Sequence, residues 1–321
     1  MTEVKTSEET GLQWAKVATL LSVVVALTLA VAKAVVWYRS GSVAILGSLA
    51  DSILDLAASV IAFIGVRMAA IPADHNHRFG HHKAEAISSL VQLVLISGSA
   101  LFVLIESIRR VFAPEPIAAA GEAIGVMVLS IGLTTLLVAV QTIAIKRSRS
   151  LATEADRAHY LGDFLANAGA LLAIVLATRF GLLWADGVAG LVAAGFLVWS
   201  VWVIAQRALP QLMDEELGPE DRAAIVAMIM EDSDVLGVHA LRTRKAGPTE
   251  FIQLHIELDP EMPLRQVHVI SDRVEARLHA AYPDADIMMH QDPHGYVEAH
   301  DEFGQPDRKN ASVTDTEQAV G

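Results

Sequence analysis

The chain has 321 residues, 53% of them hydrophobic, with a mean hydropathy of +0.43. That is too apolar for a soluble domain of this size and requires long membrane-embedded runs. The net charge of −13 is uneven: after Pro210, 23 Asp+Glu face 9 Lys+Arg, so the last third carries −14 and the rest is near neutral, an acidity that excludes nucleic acid as a natural partner.

There is no cysteine, which removes disulfides, thiolate metal sites and cysteine nucleophiles and leaves His, Asp and Glu as strong metal ligands. Met1 to Thr10 is acidic and lacks a basic n-region or cleavage site, so residues 1–12 read as a cytoplasmic tail before a retained helix. Six runs long enough to span a bilayer follow, at about 13–38, 43–69, 84–112, 119–145, 152–179 and 182–208. This predicts a six-helix transmembrane bundle over 13–209 with both termini on one side. Arg67, Arg78, Lys83, Lys146, Arg147, Arg149 and Arg207 put that side in the cytoplasm, with Arg109 and Arg110 as a counterweight. Lys33 is expected to snorkel to the headgroups beside the interface anchors Trp37 and Tyr38. Asp186, opening the sixth run, reads as a cap or interface residue.

The second run holds Gly47-Ser48-Leu49-Ala50-Asp51-Ser52-Ile53-Leu54-Asp55. Asp51 and Asp55 are four apart and share a helix face. Counted from Ser42, Asp51 lies ~13 Å into the run at ~1.5 Å per residue. A carboxylate there costs at least ~2.5–3.5 kcal/mol and must face a partner, water or an ion. A late-starting helix capped by Asp51 would explain one aspartate and leave Asp55 unexplained. The fifth run repeats the spacing in His159-Tyr160-Leu161-Gly162-Asp163, with Asn167 one turn on. Brought together, Asp51, Asp55, His159 and Asp163 offer three oxygens and one nitrogen, a set that suits a tetrahedral divalent ion.

Between the second and third runs stands Asp74-His75-Asn76-His77-Arg78-Phe79-Gly80-His81-His82-Lys83, either a solvated turn or a loosely constrained metal loop. After Pro210, helical periodicity at 219–232, strands at 236–245 and 250–258, a helix at about 264–281 and a strand at 285–290 predict a small cytoplasmic αββαβ domain over 210–293. His290 and Asp292 project from one strand face. Residues 294–321 are polar and read as a disordered tail.

The sequence resembles the cation diffusion facilitator family, closest to its bacterial ferrous-iron and zinc efflux type. The matching motifs are Gly41-Ser42-Val43-Ala44-Ile45, Asp51-x-x-x-Asp55, Pro72-Ala73-Asp74 leading to Phe79-Gly80-His81, His159-x-x-x-Asp163, Leu241-Arg242-Thr243-Arg244 and His290-Gln291-Asp292-Pro293. The long His-rich insertion that many eukaryotic relatives carry between the fourth and fifth helices is missing.

The resemblance implies a membrane all-α bundle followed by a ferredoxin-like, metallochaperone-like α+β domain. It implies a proton-coupled efflux transporter of divalent metal ions, zinc first and then Fe²⁺ or Cd²⁺, working by alternating access. Asp51, Asp55, His159 and Asp163 would be the transport site. Asp74, His77 and His81 would hold a loop ion, with His75 and His82 extra. His239, His255, His268, His290 and Asp292 would form a cytoplasmic centre of two ions, bridged by Asp292. His279, His294 and His300 match nothing and read as surface. A homodimer joined through this domain is implied, with Lys83 and Asp214 as an interlocking charge pair, in a bacterial inner membrane. No organic cofactor is implied and the chain is not expected to be an enzyme: no His-Glu-x-x-His is present, and a four-ligand core leaves no open position. The alternative is a membrane-bound metal sensor that does not transport.

Overall fold

The computed structural model describes residues 2–40, 43–113 and 121–295, so Gly41, Ser42, His300 and nearly all of the expected disordered tail lie outside it. The chain divides into two compact units, Met1–Met213 and Asp214–Gly321.

Among the described residues the first unit has six helices: α1 (Thr2–Ser40), α2 (Val43–Ala69), α3 (Lys83–Phe112), α4 (Gly121–Ser148), α5 (Leu151–Phe180) and α6 (Ala185–Leu212). All six are long and apolar enough to cross a membrane. Exposed apolar rows such as Val17, Leu20, Val24, Leu27, Val31 and Val35 on α1 recur every three or four residues, the stripe that lipid requires. Inside, Leu93 and Ile96 of α3, Ala155 and Ala158 of α5, and Leu197 and Ile204 of α6 form one core.

Local signals explain the helix ends. Ser150 caps α5 by accepting from the Thr153 amide at 3.3 Å, and Gly181 ends it with φ 71°. The Glu85 carboxylate, reaching over from α3, accepts from the Leu151 amide at 3.0 Å and satisfies a second orphan donor. Asp186 pairs with Arg110 of α3, which also bonds Glu106 at 3.1 Å, so it ties the start of α6 to the end of α3. The sixth helix continues through Pro210 to Leu212, past the expected end at 208. A proline near a helix end forfeits a single backbone bond, and α6 stops two residues later.

The second unit comprises α7 (Pro219–Met230), β1 (Gly237–Ala246), β2 (Thr249–Leu258), α8 (Leu264–Ala281) and β3 (Asp286–Pro293). The sheet order is β1-β2-β3, with β1 antiparallel and β3 parallel to β2. Ile252, Leu254, Ile256 and Leu258 point to one face, where Ile225 and Ile229 of α7 and Ile270, Val274 and Leu278 of α8 cover them. Period-two alternation therefore sends His255 and Glu257 to the face that the helices leave open. The register pairs His239 with His255, His255 with His290, and Glu257 with Asp292, so all these side chains share that face. Just beyond His239 the β1–β2 register slips, and Ala240 takes φ 50°, a bulge of the kind found beside functional sites.

Candidate metal centres

Within the first unit, α2 and α5 bring ligand atoms of Asp55, His159 and Asp163 within 4.8 Å of one another. His159 Nε2 lies 2.8 Å from Asp55 Oδ1 and 3.7 Å from Asp163 Oδ2. His159 is buried, and Asp55 and Asp163 are half-buried. Asp51 is exposed and stands outside this group. Four residues of helix separate it from Asp55 by ~6 Å along the axis, at ~1.5 Å each. Asn167 donates to the Asp163 carbonyl at 2.8 Å, a bond within its own helix.

The α2–α3 connection forms a second group from Asp74, His77 and His81. Asp74 accepts from the amides of Asn76 and His77 at 2.8 and 2.6 Å, an Asx-type turn, and His81 Nε2 lies 3.5 Å from its other oxygen. The His77 amide bond is the main reason the Asp74 carboxyl is held below the usual carboxylate range. The two imidazole rings stand 4.4 Å apart. Of the extra histidines, His75 accepts from Arg78 at 3.5 Å, and His82 precedes α3, where burial and then the neighbouring His81 charge push its imidazole down.

The open face of the sheet carries the third group, His239, His255 and Asp292. Asp292 Oδ2 lies 2.8 Å from His255 Nδ1 and 3.2 Å from His239 Nε2, and its Oδ1 lies 3.1 Å from His290 Nε2. Three imidazoles thus converge on one buried carboxylate. Two residues that sequence reasoning left out extend the cluster: Glu257 reaches His239 Nδ1 at 3.1 Å and His294 Nδ1 at 2.8 Å. His294 is exposed, as expected, yet it has an acidic partner. His268 lies on α8, across the sheet from this cluster, with Asp272 3.7 Å away. Lys83 opens α3 in the first unit, and in the second Asp214 accepts from Arg244 at 3.1 Å.

Two family descriptions cover almost all of these features: the cation efflux transmembrane domain matches residues 19–213, and the cation efflux cytoplasmic domain matches residues 217–294. The chain belongs to the cation diffusion facilitator family. The cation-efflux pump FieF of Shewanella oneidensis is 42% identical over 280 residues, covering 87% of this chain and 94% of that protein. FieF of Serratia proteamaculans is 39% identical, covering 87% and 92%. The pump of the same name from Pectobacterium carotovorum is 39% identical, covering 87% and 94%. As a cation diffusion facilitator with six membrane-length helices, the chain is a multi-pass membrane transporter for cation efflux.

In this transporter the intramembrane group sits between two further polar layers. Ser48, Ser52, Asp55 and Ser59 recur at four, three and four residues and make one stripe along α2. At one end Lys33 of α1, only 9% exposed, donates to the Ser48 carbonyl at 3.1 Å and to Ser52 Oγ at 2.6 Å. It therefore does not snorkel to the headgroups: the polar stripe of α2 gives it nearer acceptors. At the other end Asp156 of α5 is fully buried, accepting from Ser59 at 3.2 Å and from Gln141 of α4 at 2.8 Å. Gln141 also donates to Ser22 Oγ at 3.1 Å, and the Tyr160 hydroxyl donates to the Ser22 carbonyl at 3.2 Å. The sequence signals for these layers are the charged residues Lys33 and Asp156 inside apolar runs and the spacing of serines on α2.

Proposed function

We propose that this transporter exports divalent metal ions, Zn²⁺ foremost and Fe²⁺ or Cd²⁺ besides, in exchange for protons across a bacterial inner membrane. The observation that supports this reading is the convergence of Asp55, His159 and Asp163 between two membrane-spanning helices. Asp51, one turn along α2, supplies the fourth ligand in another state of the cycle. A metal ion binds imidazole and carboxylate only in their deprotonated forms, so cargo and protons compete for one set of atoms. Exposing that site alternately to each side turns the competition into exchange.

Both termini, the Asp74–His77–His81 loop and the 210–293 domain would then face the cytoplasm. The donors of the second and third groups, ring nitrogens and carboxylate oxygens, fit a zinc-like ion chemically. A resident ion there supplies positive charge that ties the three strands together and offsets the repulsion between two acidic domains in a homodimer. His268, across the sheet from its proposed co-ligands, is left to reach a second copy of the chain, which a dimer joined through this domain provides. Lys83 and Asp214 are the proposed interlocking pair of that dimer. A sensor that does not transport would need these outer sites alone.

The test is zinc flux into inverted membrane vesicles under an imposed pH gradient. Wild-type protein is expected to accumulate zinc only while the gradient lasts, and Asp163→Ala to abolish uptake. Zinc binding without flux would favour the sensor, and undiminished uptake by Asp163→Ala would remove the site from the mechanism.

A further inference from the structure

Lys33 carries a charge that the exchange of metal for protons does not use. Its ammonium is buried, yet both of its hydrogen-bond acceptors, the Ser48 carbonyl and the Ser52 hydroxyl, are neutral. Taking an ammonium out of water for two neutral acceptors is costly, and a buried ionisable group in a membrane helix marks function by default. A strut between α1 and α2 could be built from serine or threonine without a charge. The acceptors point to what the charge is for. Ser52 follows Asp51 in the chain, and Ser48 stands one turn before Ser52 on the stripe that carries Asp55, so the ammonium is hydrogen-bonded to the turns on either side of Asp51.

Counting charges gives the role. When Asp51 joins Asp55 and Asp163 around the cargo, the ligand carboxylates bring three negative charges and a divalent ion leaves one of them uncompensated, whereas Asp156 lies outside this set and has its own donors in Ser59 and Gln141. One fixed ammonium cancels the uncompensated charge. We propose that Lys33 is the tethered counter-cation of the transport site, making the site that holds one divalent ion electrically neutral and weakening its grip enough for release. The inference rests on Asp51, Asp55, His159 and Asp163 binding the cargo, and it names a residue that tunes that binding without being a ligand.

The charge makes a prediction opposite in sign to that of a strut. Lys33→Met keeps the length and removes the charge, so the site should hold zinc more tightly. In the vesicle assay its KM for zinc is expected to fall at least about tenfold, equivalent to about 1.4 kcal/mol. Its maximal rate should fall as well, because release slows. Lys33→Gln, which can still bond Ser52, is expected to tighten in the same way and serves if the methionine variant does not insert. Lys33→Arg should keep KM within about threefold of wild type. Ser52→Ala removes an acceptor and leaves the charge, and its KM should stay near that of wild type. An unchanged or raised KM in both neutral variants would overturn the proposal, as would tightening in Ser52→Ala equal to that in Lys33→Met. Asp163→Ala, run alongside, separates the two ideas: if it abolishes uptake while the neutral variants keep KM, only the counter-cation fails, whereas intact uptake by Asp163→Ala removes the transport site itself.

Discussion

Gly162→Ala tests how closely transport depends on the packing of α5 against α6. A Cβ at this position would stand 2.3 Å from Leu197 Cδ2 and 2.9 Å from its Cγ. Leu197 is 5% exposed and wedged among Leu93, Ile96, Ala158 and Ile204, so it has little room to turn away. Reaching an ordinary contact of 3.4 Å requires α5 and α6 to part by the 1.1 Å between the two distances, or Leu197 to leave its rotamer. Overpacking of this kind costs ~1–3 kcal/mol, of which the better helix propensity of alanine returns up to ~1 kcal/mol. With that offset the net loss in stability is roughly 0–2 kcal/mol. The effect on transport should be larger, because Gly162 directly precedes Asp163 and lies three residues after His159. Ligand distances tolerate only ~0.2 Å, several times less than the required shift. Zinc uptake is therefore expected to fall at least tenfold in vesicles holding equal amounts of folded protein, with a lowered detergent melting temperature. Gly162→Ala combined with Leu197→Ala removes the clash and should recover uptake relative to Gly162→Ala alone, a non-additivity proper to residues in contact. Wild-type uptake and melting temperature in Gly162→Ala would refute the reasoning. Failure of Leu197→Ala to restore anything would show that the clash is not what matters.

Two further outcomes concern the second unit. Burial pushes the Asp232 carboxyl up, but the Arg273 hydrogen bonds at 3.0 and 2.8 Å, with the Asp234 amide, outweigh it and hold the group below its usual range. A carboxyl depressed on folding stabilises above its unfolded pKa of ~3.9 and loses that contribution as pH falls through the folded value. Asp232→Asn should thus lower the stability of the unit at pH 7 by about 1 kcal/mol, discounted for the half-exposed Arg273, with the difference closing below about pH 4. Thermal melts of the full chain across pH would show it, and a gap that widened in acid would contradict the assignment. Asp292→Asn takes the shared carboxylate from three imidazoles, and equilibrium dialysis of the full chain should show zinc at the sheet weakened at least tenfold while the intramembrane site still fills. Unchanged zinc binding would mean that the sheet cluster holds no ion.

What could be read in advance follows a physical division. The six helices were legible because bilayer thickness fixes their length and lipid fixes their outer faces, and the sheet because residues 252–258 alternate strictly enough to fix which side chains face the helices. Asp55, His159 and Asp163 were legible because i,i+4 carboxylate and imidazole pairs are too costly in hydrocarbon to lack a purpose. Lys33 was misread because its distance from the helix end says nothing about what the neighbouring helix offers. Seen alone, a lysine near the end of an apolar run reaches for water; seen beside Ser48 and Ser52, it has nearer acceptors. Glu257 was missed for a related reason: it joins His239 only through the β1–β2 register, which periodicity does not reveal.

The stripe on α2 links the three polar layers through charge. Ser48 and Ser52 hold a cation, Asp55 meets an imidazole, and Ser59 meets a second buried carboxylate, so one helix face passes from positive through mixed to negative along its length. The two outer layers differ in how they are satisfied. Asp156 is wrapped by neutral donors from α2 and α4, an arrangement that fixes helix positions and leaves little that an ion could displace. Lys33 has neutral acceptors too, but its charge stands over the turn that carries Asp51. The same serine spacing therefore holds a carboxylate at one end and an ammonium at the other, with the candidate site between them. A divalent ion bound in that middle layer would have helices held firmly on the Asp156 side and a tethered countercharge on the Lys33 side, so the effect of loading and unloading should concentrate where α1 and the Asp51 turn of α2 meet.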